Sequence, residues 1–130
     1  MSNGDEHLQI GEAAARTELS IKTIRHYDEV GLVVPSARST GGFRLYTASD
    51  IERLLAIRRM KPLGFSLDEM RQLLAALDIL NNVSATKAQR AQALTYVTEC
   101  HTRAQDACEK LTRQLAYAHE LTDHLARYRG

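Results

Sequence analysis

Apolar residues recur at helical spacing near the start of the chain and predict two short helices joined by a tight turn. The first helix is expected over residues 10–16, with its apolar positions on one face. Ser20 then offers an N-cap hydroxyl to a second helix over residues 21–30. Ile21 and Ile24 are spaced so that both are expected to face the core. Two helices joined by a short turn are typical of a helix-turn-helix.

A small β-hairpin is predicted after the second helix. Residues 32–35 are expected to be extended, because the residue before a proline avoids the α region. The glycine pair at 41–42 marks a tight turn, and residues 43–46 alternate as a strand does. Because a hairpin this small must pack its aromatic side chains on something, Phe43 and Tyr46 are both expected to combine a core role with a contact role.

Two further helices are predicted in the middle of the chain. One covers residues 48–60 and is ended by Pro62. Ser66 and Glu69 have the spacing of a capping box, in which each side chain binds the backbone N–H of the other residue. This capping box is expected to open a helix that continues to about residue 77.

A long helix is predicted over residues 84–128, because this stretch contains neither proline nor glycine. Such a helix would be about 65 Å long. Its apolar positions follow the alternating 3-4 spacing of a coiled coil. About 80 residues of compact domain cannot bury the whole stripe, so a homodimer is the simplest arrangement. The expected interface residues are Leu94, Val97, His101, Ala104, Cys108, Leu111, Leu115, Ala118 and Leu125.

Composition and charge narrow this picture. The chain has 130 residues, of which 44% are hydrophobic, and this suits one small core. Residues 1–7 are polar and are expected to be frayed. No signal peptide opens the chain and no apolar run approaches the about 18 residues of a membrane span, so we expect a cytoplasmic protein without a membrane partner. The formal net charge of +1 argues against non-specific coating of nucleic acid. Between residues 22 and 44, however, four basic residues are opposed by only two acidic ones.

Cys100, His101 and Cys108 form the one group that suggests metal or redox chemistry. Eight residues of helix rise about 12 Å, so the two sulfurs of one chain cannot both bind an ion at about 2.3 Å. Three roles therefore stay open for the cysteines: packing residues, a thiol sensor, or ligands of a metal site that a partner helix completes. Cys108 is expected on the apolar seam, and Cys100 is expected to be more exposed. No catalytic triad, carboxylate pair or phosphate loop is found, so we expect no enzyme, cofactor or resident metal.

Four motifs in the chain resemble those of the MerR-type transcription regulators, and they occur in the same order. The residues that carry the resemblance are IGEAA at 10–14, SIKTIRHYDEVGL at 20–32, GFRLY at 42–46 and LGFSLDEM at 63–70. The resemblance implies a mainly α fold, with a winged helix-turn-helix DNA-binding domain over 8–77 and a dimerisation helix over 84–128. The helix would form an antiparallel coiled coil, which we expect to be centred near Asp106.

The resemblance also implies a function. A homodimer would bind a pseudo-palindromic promoter with an over-long spacer, and would bend and untwist this double-stranded DNA so that RNA polymerase engages both promoter boxes. The implied DNA contacts lie in three places: on the second helix, in the predicted hairpin over residues 36–46, which would be the wing, and near the end of the third helix. They are Ser20, Lys22, Thr23, Arg25, His26, Tyr27, Arg38, Phe43, Arg44, Tyr46, Arg58 and Lys61.

The chain departs from the family pattern in two ways. It has His26 and Tyr27 where many members have two aromatic residues after the arginine. It also ends shortly after the long helix, so we expect a short form without a C-terminal ligand-binding domain and with an unknown effector. Three alternatives stay open: an excisionase-like factor that bends DNA, a thiol- or metal-responsive regulator acting through Cys100 and Cys108, and a helical adaptor that has lost DNA binding.

Overall fold

A computed structural model describes residues 7–129 and divides the chain into two compact units, one ending at Leu74 and one beginning at Ala75. The predicted mainly helical architecture, with a hairpin wing and a long last helix, is confirmed. In chain order the elements are β1 (His7–Leu8), α1 (Ile10–Thr17), α2 (Ile21–Glu29), β2 (Ala37–Arg38), β3 (Arg44–Thr47), α3 (Ala48–Met60), a 3-10 turn (Lys61–Leu63), α4 (Leu67–Leu80) and α5 (Lys87–Ala126). Within the described residues, no helix has both the length and the apolar character needed to cross a membrane.

A small antiparallel sheet organises the first unit, with strand order β1-β3-β2. Its outer strand β1 was not predicted, and the expectation of fraying is wrong for His7, which pairs with Thr47. Leu8 explains why this strand forms, because it pairs with Tyr46 and is only 5% exposed. Residues 1–6 of the expected frayed segment lie outside the described residues.

The two aromatic residues of the wing have different environments. Tyr46 is 2% exposed and belongs to the core, whereas Phe43 is 71% exposed. The prediction that both pack on the domain is therefore wrong for Phe43. The reason is the alternation of a strand, since residues three apart point to opposite faces and only one face meets the core.

The core of the first unit is built from one face of each helix, and Ile24, Leu54 and Ile57 are completely buried. The prediction that Ile21 faces the core is wrong, because its side chain is 39% exposed. The buried stripe of α2 is set by Ile24 and Tyr27. At about 100° per residue, Ile21 lies about 120° around the helix from Tyr27 and so turns away from that stripe.

Capping boxes fix where the later helices begin. Ser66 and Glu69 exchange the predicted pair of bonds, of 2.9 and 3.1 Å, before α4. This helix continues to Leu80, three residues beyond its expected end. Thr86 and Gln89 form a second capping box, so α5 begins at residue 87 and not at 84. At its other end, α5 stops at Ala126, two residues before the predicted end.

The stripe of α5 that is covered within the chain differs in phase from the predicted seam. Ala93 and Cys100 are buried, whereas Leu94, His101 and Cys108 are exposed. The prediction that Cys100 is the more exposed cysteine is therefore wrong for this chain. Cys100 follows Ala93 by one heptad, so the two share a face, and the 94-101-108 row lies one residue further around the helix.

Candidate nucleic-acid interface

Helix α2 presents its polar residues on the side opposite its core stripe. Ile24 and Tyr27 anchor the helix, and Lys22, Arg25 and His26 are all exposed. The three exposed side chains can therefore reach a groove or a phosphate backbone without disturbing the core. Tyr27, which was expected on the DNA backbone, is only 3% exposed and packs in the domain.

The start of α2 is fixed by two of the residues expected at DNA. The Ser20 hydroxyl accepts a hydrogen bond from the Thr23 backbone N–H at 3.0 Å and donates to the Thr23 hydroxyl at 2.8 Å. Both hydrogen bonds are exposed, and the N–H donors of the first helical turn lie beside them. This N-terminus carries the positive end of the helix dipole, which favours a nearby anion.

The wing is joined to α2 by an ion pair. Nη2 of Arg44, on β3, donates to Oδ1 of Asp28 at 2.9 Å. Arg25 and Asp28 of α2 line the same cleft as Arg44 and Tyr46 of the wing. Burial of the Tyr46 ring, and then the negative charge of Asp28, raise the pKa of the Tyr46 hydroxyl. The wing and α2 are thus held in a defined relation by this contact.

Two cations lie directly opposite each other in the wing. Arg38 of β2 is the register partner of Arg44 of β3. Like charges in this position destabilise a hairpin unless an anion lies nearby. Asp28 supplies one such charge to Arg44, while Arg38 donates to the carbonyl of Gly42 at 3.1 Å. Phe43 lies between Arg38 and Arg44 in the sequence, and its exposed aromatic ring adds to the surface of the wing.

Near the end of α3, the two cations expected at phosphates differ. Nη1 of Arg58 donates to the Thr17 carbonyl at 2.6 Å and lies 3.5 Å from a carboxylate oxygen of Glu18. It therefore covers the C-terminus of α1, where Glu18 adopts a left-handed conformation with φ of 59°. Lys61 is exposed and lines a second cleft together with Lys22.

Sequence reasoning missed Asp50, which connects the wing to α3. Its carboxylate is 3% exposed and accepts bonds from the Ser36 N–H at 2.9 Å, the Ser36 hydroxyl at 2.6 Å and the Thr47 N–H at 2.9 Å. Ser36 directly precedes β2, so this one side chain fixes the base of the hairpin. The T-x-x-D spacing at 47–50 was a visible signal for the local half of the arrangement.

Arg71 was also missed. Its Nη2 donates to the carbonyl of Val30, the C-cap residue of α2, at 2.8 Å. Nη1 of the same side chain contacts Asp68 at 3.3 Å. Arg71 lies 41 positions from Val30 in the sequence, and no local sequence pattern predicts a contact over that separation.

Helix α5 exposes an apolar face along its second half. Among the expected interface residues, Leu111, Leu115 and Leu125 are 41–58% exposed. Three further apolar residues outside the predicted set are also exposed: Tyr117 and Leu121 on α5, and Tyr128 just after it. Within residues 7–129 no group of three or more His, Cys, Asp or Glu side chains could hold a metal ion.

Comparisons with known proteins agree with this geometry. Residues 8–77 match the model of the MerR HTH family regulatory proteins. The chain is 39% identical over 102 residues to the HTH-type transcriptional regulator HmrR of Rhizobium leguminosarum bv. viciae, and the match covers 78% of this chain and 77% of that protein.

Two solved structures are similar over most of their length. One is HiNmlR, a MerR family regulator lacking the sensor domain and bound to promoter DNA, with a TM-score of 0.67, 23% identity, and coverage of 95% of this chain and 90% of that one. The other is the transcription regulator PbrR691 of Ralstonia metallidurans CH34 in complex with lead(II), with a TM-score of 0.52, 33% identity, and coverage of 89% and 83%. With the family model matched over its whole helix-turn-helix and wing, the chain belongs to the MerR family of DNA-binding transcription regulators.

Proposed function

We propose that the protein acts as a homodimer on a pseudo-palindromic promoter in the cytoplasm, where it distorts an over-long spacer so that RNA polymerase engages both promoter boxes. The observation that carries the proposal is the joint surface of α2 and the wing, in which Arg25 and Arg44 line one cleft. Two such surfaces, one from each protomer, would read two half-sites related by the dimer axis. This role requires no catalytic step.

Each half-site would be read by two kinds of contact. Lys22, Arg25 and His26 are exposed on α2 and would contact the major groove or its edges. Arg38, Phe43 and Arg44 of the wing would contact the backbone beside it. Arginine can bind phosphate or guanine through two parallel hydrogen bonds, which gives both affinity and orientation.

The homodimer is supported by the exposed apolar face of α5. Leu111, Leu115 and Leu125 are large apolar side chains more than a third exposed on one helical stripe. A second copy of the helix, antiparallel to the first, would bury this stripe by the knobs-into-holes packing of a coiled coil. The same contact would set the separation of the two DNA-binding surfaces.

Promoters with altered spacers test the proposal. We expect the full-length protein to protect both half-sites in a footprint, and to change transcription only from the promoter with the long spacer. Shortening the spacer by two base pairs should leave binding nearly intact and abolish the protein's effect on transcription. Equal regulation of both promoters would exclude the distortion mechanism, and protection of a single half-site would exclude the dimer.

A further inference from the structure

A cleft of about 430 Å³ lies between α2 and the start of α4 in the first unit. Its size falls within the about 300–1,000 Å³ typical of small-molecule sites. The floor is apolar and largely buried: Tyr27, Phe65 and Met70 are each less than 8% exposed. Leu67, the first residue of α4, forms part of the wall and is 36% exposed.

The rim of this cleft is polar and basic. Lys22, Thr23 and His26 approach it from α2, and Lys61 approaches it from the 3-10 turn. Within residues 7–129, neither lysine ammonium has a carboxylate partner. Two unpaired cations above an apolar floor are complementary to a ligand that has one anionic end and an apolar body.

We propose that this cleft binds a small organic anion with an apolar body, such as an aromatic carboxylate, and that the bound anion competes with DNA. The carboxylate would lie between Lys22 and Lys61, and the imidazole and hydroxyl groups of the rim would add hydrogen bonds. The apolar body would cover Phe65 and Met70. The competition with DNA rests on the proposed function, because it requires Lys22 and Lys61 to face the operator.

The DNA backbone alone does not account for the cleft. A phosphate can satisfy the cations of the rim, but it brings no apolar group to Phe65 and Met70. Five of the eight lining residues belong to the surface expected at DNA, and the other three, Phe65, Leu67 and Met70, do not. A ligand that uses both sets would gain apolar burial that DNA cannot gain.

The first test is a titration of the full-length protein, without DNA, by NMR of its backbone amides. The probe is 1-naphthoate, and its uncharged counterpart is 1-naphthalenemethanol. We expect saturable shifts confined to the amides around the cleft, with Thr23 and Phe65 among them, and about tenfold weaker binding of the alcohol. Shifts spread along α5, or equal affinity for both probes, would overturn the proposal.

Variants separate the floor from the rim. Leu67→Glu places a carboxylate in the wall, at a helical position where an acidic residue suits the dipole, and should weaken 1-naphthoate binding about tenfold or more. Lys61→Ala should weaken 1-naphthoate and leave the alcohol unchanged. Lys110→Ala, on the exposed side of α5, is the matched control and should alter neither. Unchanged naphthoate affinity in both cleft variants, with folding verified by circular dichroism, would refute the site.

A competition experiment then tests the link to DNA. Saturating 1-naphthoate should weaken operator binding about tenfold in the wild type and have no effect in Leu67→Glu. Because ligand binding is measured without DNA, loss of operator binding would leave the first test intact. Ligand binding with unchanged operator affinity would retain the site and exclude competition.

Discussion

Arg44 in the wing and Asp28 in α2 form an ion pair of 2.9 Å across the surface expected to meet DNA. The arginine side chain is 47% exposed and the aspartate 21%, so the pair remains open to an incoming phosphate. Exposed pairs of this kind contribute only about 0–1 kcal/mol to stability. Its importance is therefore orientation, because it holds the Arg44 guanidinium over α2 and keeps an acidic group beside the phosphate site.

Replacing Asp28 tests this competition between carboxylate and phosphate. Asp28→Asn removes the charge that occupies Arg44, so affinity for DNA of unrelated sequence should rise about threefold to tenfold. The salt dependence should steepen by about 0.9 in log–log slope, as one more phosphate is neutralised. Binding isotherms at several salt concentrations measure both quantities. Asp68→Asn, which breaks the Arg71 pair instead, should leave the slope unchanged. An unaltered slope in Asp28→Asn would contradict the prediction.

Arg25 is expected to carry sequence-dependent contacts. Arg25→Ala should weaken operator binding by at least about tenfold, or about 1.4 kcal/mol, with a smaller effect on unrelated DNA. Fluorescence anisotropy at fixed salt measures this difference. Arg113→Ala, an exposed arginine of α5, serves as the control and should bind as the wild type does. Equal losses on operator and unrelated DNA would reassign Arg25 to the backbone.

Asp50, on α3 at the base of the wing, is expected to be the residue whose substitution destabilises the wing most. Asp50→Ala leaves two backbone N–H groups and the Ser36 hydroxyl without their acceptor, at a cost of about 2–4 kcal/mol in the free energy of unfolding. Urea denaturation measures the change. Asp50→Asn keeps one acceptor oxygen and should recover part of the loss. A change below about 0.5 kcal/mol in the alanine variant would mean that the network does not fix the hairpin.

Tyr46 gives the fold a dependence on alkaline pH. Burial and then Asp28 raise its pKa in the folded state above the ordinary value of 10.0, so the folded protein holds this proton more tightly than the unfolded chain does. The resulting stability is fully present below about pH 10 and is lost as pH rises through the higher folded pKa. Thermal unfolding from pH 8 to 11 should show a smaller alkaline loss in Tyr46→Phe than in the wild type. Identical profiles would contradict the prediction.

The two cysteines report on the dimer. Cys100 is buried within the chain, so it should react slowly with a bulky maleimide whether or not the protein is dimeric. Cys108 is exposed and should be protected only by a partner helix. Leu115→Glu would bury a charge in the coiled coil and should yield a monomer by sedimentation. In that variant, Cys108 should react several-fold faster and Cys100 should not, and equal Cys108 rates would place it outside the interface.

The parts of the fold that were predictable depend on contacts between residues close in sequence. The Ser66–Glu69 capping box spans three residues, and both of its bonds form as predicted. Contacts of longer range were not visible in the sequence. Arg58, which the resemblance implied at a phosphate, also reaches the carbonyl of Thr17 across 41 positions, and no local pattern predicted that contact.

The burial of Cys100 could not be predicted for a different reason. Cys100 and Cys108 differ by eight residues, and a shift of one residue around the helix exchanges the buried row for the exposed one. Heptad spacing alone does not distinguish the stripe covered within the chain from the stripe left for a partner. In the wing the strand period was right, but period two does not say which of Phe43 and Tyr46 faces inward.

The arginine caps on α1 and α2 have a consequence for how fast the protein finds its operator. Arg58 binds the last carbonyl of α1, and Arg71 binds the carbonyl of Val30 after α2. The C-termini of both helices of the helix-turn-helix are therefore held by residues outside that motif. A helix-turn-helix that is already ordered loses little conformational entropy on contact with DNA. Encounter can then be a rigid-body event, in which diffusion and steering set the association rate.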